Sequence, residues 1–392
     1  MTNDNNSDKE MAVNSAYKDF DAKNFNFDKA YEDVKNNIKK PNILLCGATG
    51  VGKSSLVNYV FGKELAKVDV GRPVTKGIDR YERPEKTVIL YDSEGYEIGS
   101  EANQRYFDTV VGFVKDRKNT GPENEIHLAW YCISAANKRV TDMDAKVVRE
   151  LKALGVPTAV VFTQIDCIDE ENYSELTKAA RELCQVSQQE CFGTCALDDE
   201  ETQKSLGAYN QIEALQDWSA NNLDGPRKSG FVAALKRGLA QKVSHVRNVI
   251  IPSYAAGAAG IGATPIPISD AALLMPLQVM MTIHITNVFG MDKVHGALKS
   301  LVGSTMVSQA GKLAAGSLIK LIPGIGSVLG GVVNAGVAGT LTWAMGYSIC
   351  ELCRRYCEEK VKGGGKEPVF SQLFNESTVK NLFEQFSKEG KK

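Results

Sequence analysis

The stretch "NILLCGATGVGKSS", Asn42 to Ser55, is the most informative part of the first half of the chain. An apolar run precedes "GATGVGKSS", and "LVNYVFGK", which follows it, has the composition of a helix. A buried strand, a glycine-rich turn and a helix in this order form the P-loop pattern. Glycines let successive backbone N–H groups curve around phosphates, and the helix N-terminus adds its dipole. The stretch therefore predicts a phosphate site at the carboxyl end of a strand.

Beyond this stretch, up to about Asp224, short apolar runs alternate with longer amphipathic ones. The runs that have the length and composition of buried strands are "NILLCG", "TVILYD", "HLAWYCIS", "TAVVFTQ" and "CFGTCAL". Helical patterns such as "DMDAKVVRELKAL" lie between them. Strands that alternate with helices are typical of an α/β fold in which helices cover both faces of the sheet. We expect a mostly parallel, six-stranded sheet.

Short motifs after these strands predict the groups that bind phosphate and metal. Lys53 would reach the β- and γ-phosphates, and the Ser54 hydroxyl would bind Mg²⁺. In "DSEG", Asp92 would hold Mg²⁺ through water and the Gly95 amide would contact the γ-phosphate. Thr75, in "PVTKG", would complete the Mg²⁺ shell and be released after hydrolysis, which makes a switch.

Two further motifs predict the base. Asp166, in "TQID", could accept hydrogen bonds from N1 and N2 of guanine, a donor pair that adenine lacks. In "TCA", Thr194 to Ala196, a backbone N–H could meet the guanine O6. Five motifs in this order, each at the carboxyl end of a strand, together predict a guanine-nucleotide site. The residues predicted to contact the nucleotide are Gly47, Gly50, Val51, Gly52, Lys53, Ser54, Ser55, Thr163, Gln164, Asp166, Cys195 and Ala196, with Ser54, Thr75 and Asp92 as metal ligands.

On these motifs the segment from Asn42 to about Asp224 resembles P-loop GTPases of the Era/septin-like group. "GATGVGKSSLVNYVFG" and "GRPVTKGI" are similar to bacterial Era-like domains and to immunity-related GTPases. The later stretch "VIIPSYAAGAAGIGATPIPISDAALLMPLQVMMTIHIT" resembles a helical domain that follows some of these domains in bacteria. The resemblance implies Mg²⁺-dependent hydrolysis of GTP to GDP as a conformational switch.

Two positions depart from the pattern of that group. Gln164 stands where the group usually has a lysine, which alters stacking over the base. Tyr96 stands where many GTPases have the glutamine that orients the attacking water. With Lys53, Thr75, Gly95 and Tyr96 as the catalytic set, we expect slow intrinsic hydrolysis that rises on self-association, through a homodimer of GTPase domains, or with a partner. The alternative is a GTP-sensing scaffold with negligible hydrolysis.

The second half of the chain is apolar. Two nearly uncharged regions run from Val249 to Met291 and from Leu313 to Cys350, and prolines divide them into helical pieces. They predict an all-α domain. Its apolar segments could span a membrane as a hairpin, insert reversibly, or bury one another in a soluble bundle whose glycines allow close helix contact.

The composition of the chain limits the binding partners and the cellular compartment that we expect. A net charge of −1 argues against a nucleic-acid partner. Nine cysteines without disulfide-like spacing indicate a reducing compartment. We expect a cytoplasmic protein, or one at the cytosolic face of a membrane with lipid as a partner. The predicted divisions are a tail and helix over 1–40, a GTPase domain over 41–225, a helical domain over 226–360 and a charged tail over 361–392.

Two features of the helical half have competing interpretations. Cys350, Cys353 and Cys357 share one helix face, which suits metal binding, acylation beside a membrane, or a partly buried helix face. His284 lies in an apolar stretch, and we expect a core histidine whose hydrogen bonds are satisfied.

Overall fold

A computed structural model describes the chain in eight segments. They are residues 26–62, 72–75, 77–83, 86–95, 100–262, 274–291, 335–373 and 376–389. These segments belong to two compact units. The first runs from Lys39 to Gly238, and the second combines the residues up to Ile38 with those from Leu239 onward.

The first unit is built on a sheet whose strands are β1 Asn42–Cys46, β2 Arg72–Thr75, β3 Ile78–Glu82, β4 Ile89–Ser93, β5 Leu128–Ser134, β6 Thr158–Thr163 and β7 Cys191–Thr194. Their order is β2-β3-β4-β1-β5-β6-β7. All pairs from β4 to β7 are parallel, whereas β2–β3 and β3–β4 are antiparallel. The predicted α/β fold with a mostly parallel sheet is confirmed. The hairpin β2–β3 makes the sheet seven-stranded within the described residues instead of six-stranded.

The helices of this unit are α2 Lys53–Phe61, α3 Ser100–Lys118, α4 Asp142–Ala153, α5 Glu170–Cys184, α6 Glu200–Leu206, α7 Ile212–Asn221 and α8 Gly225–Ala234. Local sequence explains where several of them begin. Thr141 and Asp144 form a capping box at the start of α4, and Asp169 caps α5. Because helices cover both faces, every residue of β5 and β6 is buried.

Helix α8 belongs to the sheet unit, although the predicted GTPase domain ended at residue 225. Its Phe231 packs edge-on against Phe61 and Trp130, and Trp130 Nε1 donates a hydrogen bond of 3.0 Å to Ser219 Oγ on α7. A Cβ on Gly230 would lie 2.0 Å from the backbone oxygen of Lys39. This aromatic packing and close backbone contact place the boundary of the unit at Gly238.

The second unit is helical. It contains α1 Phe27–Asn37, α9 Leu239–His245, a π-helical turn Val246–Ile250, α10 Ile251–Gly262, α11 Leu274–Val288, α12 Ala335–Lys362, α13 Phe370–Leu373 and α14 Glu376–Glu389. Although α1 precedes the sheet in the chain, it packs against α11. The sequence pattern predicts one helix from Phe231 to about Ile250. The chain instead breaks between Leu235 and Gly238, and the π-helical turn lies just before Pro252, which lacks a backbone donor.

The described parts of the two apolar regions pack against each other. Gly346 of α12 lies so close to α10 that a Cβ there would be 2.7 Å from the Ile251 side chain. Gly339 approaches the backbone oxygen of Ala255 in the same way, at 3.3 Å. Glycine therefore allows the close contact of α10 with α12, as the bundle alternative predicts. Residues 263–273 and 292–334, which carry the rest of both apolar regions, lie outside the described residues.

No helix within the described segments is both long enough and apolar enough to cross a membrane. Helix α12 begins in the apolar region, but from Glu351 onward it is rich in charged residues. Part of the apolar region from Leu313 to Cys350, which could span a membrane, falls on residues outside the described segments.

The charged C-terminal segment contributes to the same unit. Residues Thr378 to Ser387, for which the sequence pattern predicts a short helix, lie in α14, whose Phe386 ring centroid is 5.5 Å from that of Tyr347 and 6.5 Å from that of Trp343. On α12, Cys350 and Cys353 are buried and Cys357 is partly buried. The described residues hold no group of histidine, cysteine and carboxylate side chains that suits a metal ion.

Two polar features lie inside the helical unit. The Glu351 carboxylate accepts hydrogen bonds from Arg354 at 2.7 Å and Arg355 at 3.0 Å, and it pairs with Arg247 at 3.5 Å. The contacts with Arg354, the larger cause, and with Arg355 lower the pKa of Glu351 to about 2, although burial opposes them. His284 differs from the satisfied histidine that its sequence context predicts, because its Nε2 is buried and has no hydrogen-bond partner among the described residues.

Candidate functional site

The loop between β1 and α2 needs glycine at three positions. Gly47, Gly50 and Gly52 have φ angles of 130°, 75° and 90°, which other residues rarely adopt. A Cβ on Gly47 would lie 2.1 Å from the backbone oxygen of Cys132 on β5. The loop therefore takes the curved backbone that the sequence predicts for a phosphate site.

Lys53 is the first residue of α2, and its side chain folds back over this loop. Its ammonium group donates hydrogen bonds to the backbone oxygens of Gly47 at 3.0 Å and Ala48 at 3.2 Å. The residue is only 8% exposed. Its positive charge is thus held at the concave side of the turn, where phosphate oxygens would approach.

A cavity of about 380 Å³ opens in front of the loop. It brings together predicted residues from distant parts of the chain, since Lys53 and Ser54 of α2 face Asp92 and Gly95 of the "DSEG" motif. Thr75 ends β2, where its backbone pairs with Ile78. Tyr96, the predicted catalytic residue of this motif, lies outside the described residues. The lining residues within the described segments are Thr49, Gly50, Val51, Gly52, Lys53, Ser54, Ser55, Asp79, Asp92, Ser93, Glu94 and Gly95.

Asp92, near the end of β4, has the properties of a metal-site carboxylate. Burial raises its pKa to about 6, Lys53 opposes the rise and Asp79 adds to it. Its Oδ1 atom is buried and has no hydrogen-bond partner among the described residues. A buried, unpaired carboxylate oxygen is costly, and a cation in the cavity would supply the missing partner. With the Ser54 hydroxyl in the same cavity, the residues present fit Mg²⁺.

Asp79 is a cavity residue that motif analysis did not identify. It lies on β3 directly opposite Asp92, and its charge raises the pKa of Asp92. Two like charges directly opposite each other in an antiparallel pair repel each other. A cation bound at this end of the cavity would relieve that repulsion, so the two carboxylates together favour a cation there. Motif spacing contains no signal for Asp79, because only the pairing of the edge hairpin brings it there.

The "DSEG" motif contacts both neighbouring loops. The Glu94 amide donates a hydrogen bond of 2.8 Å to the backbone oxygen of Gly77, which lies between β2 and β3. Gly95 lies so close to the P-loop that a Cβ there would be 2.2 Å from the Thr49 nitrogen. A movement of this motif would therefore change its contacts with the P-loop and with the β2–β3 hairpin, which carries Thr75.

Two residues that are predicted to contact the base make hydrogen bonds to neighbouring segments of the chain in the structure. The Thr163 hydroxyl is buried and donates a hydrogen bond to the backbone oxygen of Val51, with the backbone oxygen of Ile133 also 3.3 Å away. Gln164, which has a φ of 57°, accepts a hydrogen bond of 2.5 Å from the Ser134 hydroxyl. Thr163 thus ties the end of β6 to the P-loop.

The predicted base-selecting residue, Asp166, lies in the 3₁₀ turn Ile165–Cys167 and is exposed. Its Oδ2 lies 3.6 Å from the Cys167 sulfur. The Cys195 amide already donates a hydrogen bond of 3.1 Å to Asn210 Oδ1. Of the predicted pair, Ala196 is therefore the better candidate for the guanine O6.

Ala196 lines a second cavity, of about 260 Å³, which shares Ser55 with the first. Arg237 in this cavity lies over the Tyr59 ring, with its guanidinium carbon 4.4 Å from the ring centroid, and pairs with Asp198. The site thus has two adjoining cavities, one in front of the P-loop and one beside the turn that carries Ala196.

Comparison with known proteins finds GTPases similar in sequence to part of the sheet unit. Residues 42–164 match the family described as "50S ribosome-binding GTPase". A probable GTP-binding protein EngB from Aquifex aeolicus is 29% identical over 146 residues, which are 36% of this chain and 74% of that protein. The EngB protein of Caldanaerobacter subterraneus subsp. tengcongensis is 29% identical over 150 residues, 37% of this chain and 72% of that protein.

Among solved structures, a probable GTP-binding protein EngB aligns with 46% of this chain and 97% of its own, at 20% identity and a TM-score of 0.35. The Era-like and immunity-related resemblances stay predictions. The matched residues begin at β1, include the P-loop and "DSEG", and end in "TQID". The sheet unit of this chain therefore contains a P-loop GTPase domain with EngB-like relatives.

Proposed function

We propose that the chain binds GTP with Mg²⁺ and hydrolyses it to GDP as a conformational switch. The observation that carries the proposal is the cavity beside the P-loop that both the Lys53 side chain and the unpaired Asp92 carboxylate line. The positive charge of Lys53 suits the phosphates of a nucleotide, and the carboxylate of Asp92 in the same cavity suits the metal ion that accompanies them.

Each group has a separate role in this proposal. Lys53 and the backbone N–H groups of the P-loop bind the β- and γ-phosphates, and the Gly95 amide contacts the γ-phosphate. Ser54, Asp92 and Thr75 hold Mg²⁺, which when bound neutralises charge on the phosphate oxygens. Asp166 selects guanine. Loss of the γ-phosphate would release the Gly95 and Thr75 segments, and that release is the switch.

Calorimetric titration of the wild type with GTP and ATP tests the proposal. We expect GTP to bind much more tightly than ATP. Lys53→Ala should abolish binding, whereas Lys204→Ala, which removes an exposed lysine of α6 paired with Glu200, should not change it. Asp166→Asn should weaken GTP and improve xanthosine triphosphate. Equal affinity of the wild type for ATP and GTP would contradict the assignment of the base.

Phosphate release measured over a range of protein concentrations tests the hydrolysis step. Since Tyr96 replaces the usual glutamine, we propose that intrinsic hydrolysis is slow and is stimulated by self-association of the GTPase domain. A specific rate that rises with concentration supports that proposal. A flat rate near zero supports the alternative, a GTP-sensing scaffold.

The helical unit is proposed to respond to the nucleotide. The contact of α10 with α12 through Gly346 and Gly339 supports the bundle form. Insertion of its apolar segments into a membrane stays a prediction, which flotation of the purified chain with liposomes tests in the presence of GDP and of a non-hydrolysable GTP analogue. Flotation with only the GTP analogue would support reversible insertion.

A further inference from the structure

The second cavity contains an arginine that the nucleotide motifs do not include. Arg237 follows α8, and its side chain lines this cavity together with Ser55 and Ala196. Its guanidinium carbon lies 4.4 Å from the centroid of the Tyr59 ring, and its Nη2 donates a hydrogen bond to Asp198. The side chain is 39% exposed, so a molecule in the cavity can reach it.

The two contacts of Arg237 place its guanidinium group between the phosphate site and the turn that is predicted to meet the base. Asp198 comes two residues after Ala196, whose backbone N–H is the better candidate for the guanine O6. Tyr59 lies on α2 one turn beyond Ser55, the residue that both cavities share. A nucleotide whose phosphates occupy the first cavity can therefore extend past Ser55 into the second.

The predicted base contacts supply few donors for one edge of guanine. Its N7 and O6 atoms are both acceptors. Asp166 is a carboxylate and can only accept, from N1 and N2. The Thr163 hydroxyl donates to the backbone oxygen of Val51, and the Cys195 amide donates to another side chain of the protein. Of Asp166, Thr163, Cys195 and Ala196, only the Ala196 amide is left to donate to the N7 and O6 edge.

We propose that Arg237 is a specificity-determining residue that donates hydrogen bonds to N7 and O6 of the guanine base. The inference rests on the proposed function, because it requires a guanine nucleotide whose phosphates lie at the P-loop. A guanidinium group is a planar fork with five N–H donors, so it can keep its bond to Asp198 and still donate to two acceptors. Adenine presents an amino group in place of O6, and this donor would face the donors of Arg237.

The variant Arg237→Met removes these donors with little disturbance of the fold. The ion pair with Asp198 is exposed, with 39% and 61% of the two side chains accessible, and exposed pairs add little to stability. Methionine keeps an unbranched side chain that can pack on Tyr59. Arg181→Met is the matched control, since Arg181 is an exposed residue of α5 and is not among the described residues that line either cavity.

A nucleotide analogue separates a contact with the base from a structural role. In 7-deaza-GDP a C–H group replaces N7, so the analogue cannot accept the proposed hydrogen bond at that position. A bidentate contact between arginine and guanine discriminates between bases by roughly 5- to 150-fold. Because Arg237 also has a protein partner, we expect the lower end, with the wild type binding 7-deaza-GDP about 5- to 10-fold more weakly than GDP. Arg237→Met should bind the two within about 2-fold of each other.

The experiment is calorimetric titration of the full chain with Mg²⁺ and GDP, 7-deaza-GDP or ADP, for the wild type, Arg237→Met and Arg181→Met. Loss of the preference for GDP over 7-deaza-GDP in Arg237→Met alone, together with a smaller preference for GDP over ADP, supports the inference. If Arg237→Met keeps either preference at the wild-type value, or if Arg181→Met loses them too, the inference is overturned.

The same titrations separate failure of the inference from failure of the proposed function. A wild type that prefers GDP to ADP but binds 7-deaza-GDP as tightly as GDP overturns the role of Arg237 alone. A wild type that binds no guanine nucleotide refutes the proposed function itself.

A measurement on the wild type keeps the inference testable if Arg237→Met does not fold. In protein labelled with ¹⁵N-arginine, the Nε–H resonance of Arg237 should shift when GDP binds and should shift less with 7-deaza-GDP. Equal shifts with the two nucleotides, or no shift with either, would overturn the assignment.

Discussion

Acidification should destabilise the helical unit through His284. The ring packs edge-on against Tyr254, with the centroids 6.1 Å apart, and its buried Nε2 has no partner among the described residues. Burial lowers the pKa of His284 from an ordinary value of 6.5 to about 4. The folded unit therefore binds fewer protons than the unfolded chain between these two pH values, and stability is lost as the pH falls from about 6.5 to about 4.

The size of the loss follows from the shift in pKa. At 1.36 kcal/mol for each pH unit, the wild type should lose about 3 kcal/mol from this group by pH 4. His284→Leu cannot titrate, so this contribution should be absent. At pH 7.5, where the wild-type ring is neutral, the two proteins should be similar, or the variant more stable because it buries no unpaired nitrogen.

Urea unfolding between pH 7.5 and pH 4 measures the difference. The chain has three tryptophans, and only Trp343 lies in the helical unit. The ¹⁹F resonance of 5-fluorotryptophan at Trp343 therefore reports on this unit separately from the sheet unit. If the wild type and His284→Leu lose the same free energy of unfolding over this range, the reasoning is refuted.

Three further outcomes are expected. Gly230→Ala should destabilise the sheet unit by about 1–3 kcal/mol, because its Cβ would lie 2.0 Å from the backbone oxygen of Lys39; thermal unfolding measures this, and an unchanged midpoint would contradict the packing. Asp79→Asn should lower the pKa of Asp92 below its value of about 6, because it removes a like charge. Carboxyl ¹³C NMR of the magnesium-free protein measures this pKa, and an unchanged value would mean that the two side chains do not interact. Glu351→Gln should destabilise the helical unit by roughly 2 kcal/mol at neutral pH, and the difference from the wild type should shrink as the pH falls towards 2, as urea unfolding at several pH values shows.

The nucleotide end of the molecule could be predicted from short stretches of sequence. The P-loop needs glycines with positive φ next to a strand and a helix, and these are local requirements that a short stretch can express. The strands could also be predicted from local sequence, because a strand that is buried on both faces of the sheet forms a continuous apolar run. "DSEG" could be placed near Lys53 because parallel strands bring their carboxyl ends to one edge of a sheet.

The contacts that join distant segments could not be predicted from the sequence, because they form only when the chain packs. Asp79 reaches the cavity because β3 pairs with β4 in one register, and Tyr106 reaches Gly47 because α3 packs against the sheet. The same holds for α1, which joins the helices at the other end of the chain. Hydrophobic burial is not directional, so an apolar face in the sequence does not state which partner will cover it. Only the packed chain selects among the partners, and that selection places Tyr106 and Asp79 at the nucleotide site.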